Sequence, residues 1–283
     1  MPYTINRDYV SKNIDDRVQY IVLHYTEVDF EDALKIMTEP DPQVPKKPPS
    51  PVSAHYLLPV QEKHVVYQLV SEDKRARHAG VSYWHGRNDL NDTSIGIEIV
   101  NLGYTEVDDK RQWYKYPTSQ INTLIELVRD IINRHGIAPT AVVGHSDIAT
   151  PLGRKVDPGP LFPWKMLYEH GIGAWYDAPE KTKAEAFFKK NLKIDKKPIE
   201  WVQNNLKIYG YYIPSITGTL DDPTQKALTA FQMHFRPEDF SGKPDPETLA
   251  ILYTLNRKYY PSETSIISKS DFIAPQSGHI QFS

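Results

Sequence analysis

Apolar residues recur along this chain with two periods, and the change from one to the other divides it. The first part reads as strands. Residues 18–26 hold Tyr20, Ile21, Val22 and Leu23 in succession, as a strand buried on both faces does. Residues 52–58 and 63–70 predict two more strands joined by a turn, and 140–143 predict a short apolar one. Between them Ile95, Ile97 and Ile99 alternate with Gly96 and Glu98, which share the opposite face. Helical spacing appears at 30–38, through Ala33, Leu34 and Met37. It returns over 117–135, through Ile121, Leu124, Ile125, Val128, Ile131 and Ile132, with Thr118 or Ser119 as cap and Gly136 as stop. A short helix or two turns over 160–174 carries Leu161, Phe162, Trp164 and Leu167 back to the core, with His170 at a helix end. The pattern predicts an α/β unit, a mixed central β-sheet of about five strands flanked by helices, ending near Tyr176.

Beyond that point no strand signal remains. Residues 199–209, 223–235 and 245–259 each carry one apolar stripe, which predicts a small all-helical three-helix domain. Residues 177–196, rich in Lys, Ala and Glu, read as a linker with a short helix near 185–189. The organisation expected is therefore 1–176, a linker 177–196, a helical domain 197–260, and a tail 261–283 without period, extended or partly disordered.

Composition narrows the chemistry. A chain of 283 residues has room for two domains. A net charge of −3 gives no electrostatic case for nucleic acid or an anionic membrane. With no cysteine, any metal must sit on His, Asp or Glu. No apolar run is long enough to span a bilayer, and Met1 leads into Tyr3, Asn6 and Arg7 without a signal-like core. Either the protein stays inside, or an export segment is missing from this chain. Six prolines between 40 and 51 predict an irregular loop, whose Lys46 and Lys47 are simply solvated.

Candidate chemistry gathers around residues 144–160. His145 follows the strand at 140–143, and Asp157 lies on a Gly/Pro-rich loop that continues no regular element. His24 also ends an apolar strand. If the two strands are neighbours, the rings can converge and Asp157 can complete a three-ligand set with an open fourth position, as a catalytic zinc requires. Glu98 could then accept the proton of an attacking water, and Lys155 could stabilise an oxyanion. The bland readings are packed histidines, a Glu98 solvated on an edge strand, and a Lys155 solvated on its loop. His55 and His64 read first as polar partners in a sheet. The aromatic stretch around Trp84 and His85 either lines a cleft or is pinned by packing.

At these residues the chain resembles the zinc-dependent N-acetylmuramoyl-L-alanine amidases of the type-2 amidase superfamily. The resemblance lies in IVLHYT around His24, VSAHYLL around His55, RHAGVSYW around His78, NDTSIGIEIVN around Glu98, and GHSDIA followed by GRKVDPGPLFPW. It implies one zinc per chain on His24, His145 and Asp157, an acid–base carboxylate at Glu98 and a transition-state lysine at Lys155. Substrate contacts are expected from His55, His78, Asn101 and Arg154. The loop at Thr150-Pro151-Leu152 is longer than the family pattern. Residues 197–260 resemble a type-1 peptidoglycan-binding domain through LKIYGYY and GTLDDPTQKALTAFQMHF, with a stretched turn at 236–243.

The resemblance implies hydrolysis of the bond between N-acetylmuramic acid, anhydro forms included, and L-alanine in peptidoglycan or muropeptides. It also implies a monomer in the periplasm or at the outer membrane, with a cytoplasmic enzyme recycling anhydro-muropeptides as the alternative. A non-catalytic receptor on the same fold would be expected to lack a ligand, Glu98 or Lys155, and none is missing. Because every candidate catalytic group precedes residue 160, removal of 197–283 is expected to spare cleavage of small muropeptides.

Overall fold

The continuous apolar run at 20–23 lies where such a run belongs, inside a sheet covered on both faces. The computed structural model describes residues 8, 11–13, 16–45, 48, 50–60, 64–191 and 199–264. Strand β1 (Tyr20–Tyr25) is followed by helix α1 (Phe30–Thr38), β2 (Tyr56–Leu58) and β3 (Tyr67–Gln68). A hairpin of β4 (Tyr83–Trp84) and β5 (Arg87–Asn88) precedes β6 (Ser94–Ile99). A second hairpin, β7 (Tyr104–Val107) with β8 (Lys110–Trp113), precedes α2 (Thr118–His135). Then β9 (Val142–Gly144) runs directly into the four-residue α3 (His145–Ile148), with α4 (Trp164–Glu169) beyond.

Five strands form one sheet in the order β3-β2-β6-β1-β9, parallel except for the β2–β3 pair. Strand β6 is central, which removes the edge-strand reading of Glu98. Its parallel register with β1 sets Glu98 beside His24. Ile95, Ile97 and Ile99 are fully buried, and the apolar face of α2 joins them in one core. The Gln120 amide donates to the carbonyls of Leu58 and Val100, fixing α2 to the ends of β2 and β6. Helix α2 ends on Gly136 at φ 65 as expected, but neither Thr118 nor Ser119 caps it. Pro117, extended at ψ 138, holds the cap position, so Thr118 is already helical.

The helical part holds α5 (Ala178–Asn191), α6 (Ile199–Tyr209), α7 (Asp222–Phe235) and α8 (Pro246–Tyr259). Asp221 and Asp245 cap α7 and α8 by accepting from the Thr224 and Thr248 amides. The stretch at 177–191 is more than a connector. Ala184 and Phe188, one turn apart, bury themselves as α5 packs on α8, and Lys181 pairs with both Glu185 and Glu247. Two apolar anchors among many charges make a weak stripe, so the sequence shows only the short helix at 185–189 and not the full length of α5. Lys46, Lys47, residues 192–198 and the tail from 265 lie outside the described residues.

No gap separates the two parts. A single apolar cluster runs from Ile21, Ile95 and Leu124 through Trp84 to Tyr209, Tyr211, Phe231 and Leu252. Trp84 is 1% exposed and lies edge-on to Tyr209 and Tyr211, with Gly210 leaving room for its ring. The β4–β5 hairpin is thus pinned by packing rather than turned toward a cleft.

Candidate metal centre

Strand β1 delivers His24 at its C-terminal end, and neighbouring β9 delivers His145 one residue past its own. Open parallel sheets present ligands at the carboxyl ends of their strands. The loop after α3 returns Asp157, anchored by the Ser146 amide donating to its carbonyl at 2.8 Å. His24 Nδ1, His145 Nδ1 and Asp157 Oδ2 form a nearly equilateral triangle with sides of 3.0, 3.2 and 3.1 Å. All three side chains are at least 96% buried. Among the described residues this is the one His/Asp/Glu group arranged to hold a metal.

The hydrogen bonds around the triangle decide what it can hold. Ser94 Oγ donates to the Leu90 carbonyl, so it accepts from His78 Nε2 at 3.1 Å. His78 Nδ1 then accepts from His24 Nε2 at 3.0 Å. His145 Nε2 donates to the Ala79 carbonyl at 3.2 Å. With the rings neutral, both Nδ1 atoms are left as bare lone pairs facing a carboxylate oxygen. Burial, and then the close approach of the His145 ring, pushes the His24 imidazole down to about 4, which keeps it neutral. Three acceptors without a proton between them repel unless a cation sits among them. Ligands about 2.0 Å from a tetrahedral zinc lie roughly 3.3 Å apart, close to the observed sides. The donor set fits zinc.

The triangle opens on a cleft of about 680 Å³, bounded on one side by Pro48, Ser50 and Pro51 of the proline-rich loop. Glu98, Lys155, Arg154 and His78 also face it. Glu98 reaches the cleft, yet its Oε2 is buried and has no hydrogen-bond partner among the described residues. Burial, then the Asp157 charge, holds its carboxyl well above the usual range. Lys155 is half-buried, and its charge opposes that rise.

Two of the expected substrate contacts are elsewhere. His55 is fully buried against the central strand β6, its Nδ1 accepting from the Gly96 amide and its Nε2 close to the Lys74 carbonyl. Asn101 is also buried. Its side chain accepts from the Gly103 amide and lies near the Tyr114 and Lys115 carbonyls, fixing the β7–β8 hairpin. Both polar side chains are consumed by backbone groups. His78 touches the cleft, but its hydrogen bonds orient His24. Arg154 lines the cleft and donates to the Ala79 carbonyl.

Sequence reasoning missed the support. Gly96 lies under the His78 ring, where a Cβ would approach within 2.3 Å. A glycine between two isoleucines in a strand was the available signal. The Thr150–Leu152 extension is a turn whose Gly153, at φ +61, meets the Lys226 side chain on α7.

The comparisons with known proteins agree with this geometry. The family model described as N-acetylmuramoyl-L-alanine amidase matches residues 14–160, and that of a peptidoglycan binding domain matches 195–252. The chain is 39% identical to the N-acetylmuramoyl-L-alanine amidase AmiD of Escherichia coli over 249 residues, 86% of this chain and 84% of that protein. The solved complex of E. coli AmiD with anhydro-N-acetylmuramic acid-L-Ala-D-γ-Glu-L-Lys superposes with a TM-score of 0.78 at 38% identity, covering 91% of this chain and 96% of the other. AmpDh3 of Pseudomonas aeruginosa, in complex with anhydromuramic pentapeptide, gives a TM-score of 0.78 at 42% identity, covering 92% and 99%. With its lone-pair triangle at the carboxyl ends of β1 and β9, the chain belongs to the N-acetylmuramoyl-L-alanine amidase family.

Proposed function

We propose that this protein hydrolyses the amide between the N-acetylmuramic acid lactyl group and L-alanine, with one zinc held by His24 Nδ1, His145 Nδ1 and Asp157 Oδ2. The carrying observation is the triangle of three proton-free acceptors opening on a cleft that also holds Glu98 and Lys155. Zinc there would supply Lewis acidity, acidifying water and polarising the scissile carbonyl. Glu98 accepts the proton of the attacking water and returns it to the departing alanine nitrogen. A carboxyl held above its ordinary range suits such two-way transfer near neutral pH. Lys155 donates to the oxyanion that forms on the attacked carbonyl. His78 and the Ala79 carbonyl keep the two imidazoles in the tautomer that presents Nδ1. Arg154, on the cleft rim, is a substrate-contact candidate.

The substrate class is peptidoglycan or its muropeptides, anhydro forms included. The similarity to AmiD and AmpDh3, both solved with anhydromuramyl peptides, supports it. Residues 197–260 are read as the wall-binding part, and the site of action as the periplasm or the outer membrane. Among the described residues no helix is long and apolar enough to cross a membrane. Incubating the zinc-loaded protein with intact sacculi and, separately, with a soluble anhydro-muropeptide tests both levels. Release of L-alanine-terminated peptides from both substrates is expected. Activity on the soluble fragment alone would overturn wall remodelling, and none on either would overturn the amidase reading.

A further inference from the structure

The His145 ligand sits on a four-residue helix, too short to hold its own geometry. What holds it is Asp147, whose side chain is 0% exposed. Asp147 Oδ2 accepts from the Gly144 amide at 2.8 Å, closing the first turn of α3 on itself. That is its one donor from the sheet part among the hydrogen bonds described. The others come from the helical part: Tyr211 donates its hydroxyl to Oδ1 at 2.6 Å, and His234 donates Nδ1–H to Oδ2 at 2.8 Å.

Both donors are locked by packing. The His234 ring is stacked between Trp164, at 3.8 Å and 15°, and Phe235, at 4.0 Å and 13°. The Tyr211 ring lies 4.9 Å from Trp84, whose indole donates to the Thr140 carbonyl just before β9. A Cβ on Gly144 would come within 2.7 Å of Pro158 Cδ, so Gly144 and the residue after Asp157 are in close contact. Gly144, His145 and the Asp157–Pro158 turn therefore move together.

We propose that Tyr211 and His234 are positioning residues for the metal centre, acting through Asp147. The helical part would then be a clamp on the His145 turn as well as a wall-binding module. A buried carboxylate left with a single amide donor is strongly penalised. Without the two outside donors Asp147 would turn toward water, releasing Gly144 and swinging His145 Nδ1 off the triangle. The inference rests on the zinc reading above, and it reverses the expectation that residues 197–283 can be removed at no cost to cleavage.

The test is a competition titration of Zn(II) against a chromophoric chelator on the full chain. Tyr211→Phe deletes only the hydroxyl, and His234→Phe deletes the donor while keeping the ring stack. Each should weaken zinc binding about 10-fold, as loss of an outer-shell partner does. His234→Asn, which keeps a donor near Nδ1, should restore most of that loss. Tyr260→Phe is the matched control. It removes a hydroxyl at the same interface, bonded to Thr140 Oγ1 at 2.8 Å, without touching Asp147, and should bind zinc as the parent does. A parent-like affinity in Tyr211→Phe, or an equal loss in Tyr260→Phe, would overturn the clamp. A parent that takes up no zinc would overturn the metal reading, and the clamp with it.

Discussion

Asp147 and Asp157 are buried carboxylates from the same stretch of chain, and their surroundings are opposites. Asp147 accepts from an amide, a phenol and an imidazole N–H. Every neighbour brings it a proton, so the network is closed. Asp157 Oδ2 faces two imidazole nitrogens whose own protons are committed elsewhere, to His78 and to the Ala79 carbonyl. Its neighbours bring lone pairs, so the arrangement is completed only by a cation. Burial alone therefore says little about a carboxylate's role. The direction in which its neighbours' hydrogens point separates a structural brace from a ligand.

The strongest way to break this contrast is to remove the ligands. His24→Ala, His145→Ala and Asp157→Ala should each lose bound zinc, measured by elemental analysis, and drop to background turnover. Stoichiometric zinc in His24→Ala would mean a different ligand set. Next, Glu98→Gln should keep zinc and lose about 10²–10⁴ in kcat, the usual worth of a general base. Near-parental turnover in that zinc-loaded variant would move the proton transfer elsewhere.

Asp147→Ala should act on the fold first. Deleting one partner of a buried pair typically costs about 3–5 kcal/mol, read from the urea midpoint of the full chain. Added zinc at 100 times its Kd should raise the parent's stability by about 2.7 kcal/mol and leave Asp157→Ala unmoved. Equal zinc stabilisation of Asp157→Ala and the parent would erase the distinction between the two carboxylates.

The remaining effect is in pH. His24 is held at about 4 in the fold against 6.5 when free, so the unfolded chain takes up the proton first. The metal-free protein should keep this contribution above pH 6.5 and lose about 3 kcal/mol of it as pH falls toward 4. Comparing urea midpoints of the chelator-treated parent and His24→Gln at pH 7 and 4.5 isolates it. An identical acid loss in both proteins would show that His24 is not buried neutral.

Much of this protein is determined by local pattern. Tyr20 to Leu23 as a core strand, the stripe of α2 with its Gly136 stop, and three helices beyond residue 199 follow from periodicity and capping chemistry that act over a few residues. His24, Glu98 and His145 beside core strands, with Lys155 and Asp157 on the following loop, are candidates by pattern, and the resemblance to the amidases implies their roles. Pattern could not say that β6 is central, since strand order is set by long-range pairing. Nor could it separate His55 and Asn101 from the cleft, because only the fold shows which backbone groups absorb them. Helix α5 is longer than the short helix read at 185–189, because its burial depends on α8, distant in sequence. The tautomers of His24 and His145 needed Ser94, His78 and Ala79 brought together across strands and loops. The proton-poor surroundings of Asp157 and the proton-rich surroundings of Asp147 exist only in three dimensions, because their partners come from every part of the chain.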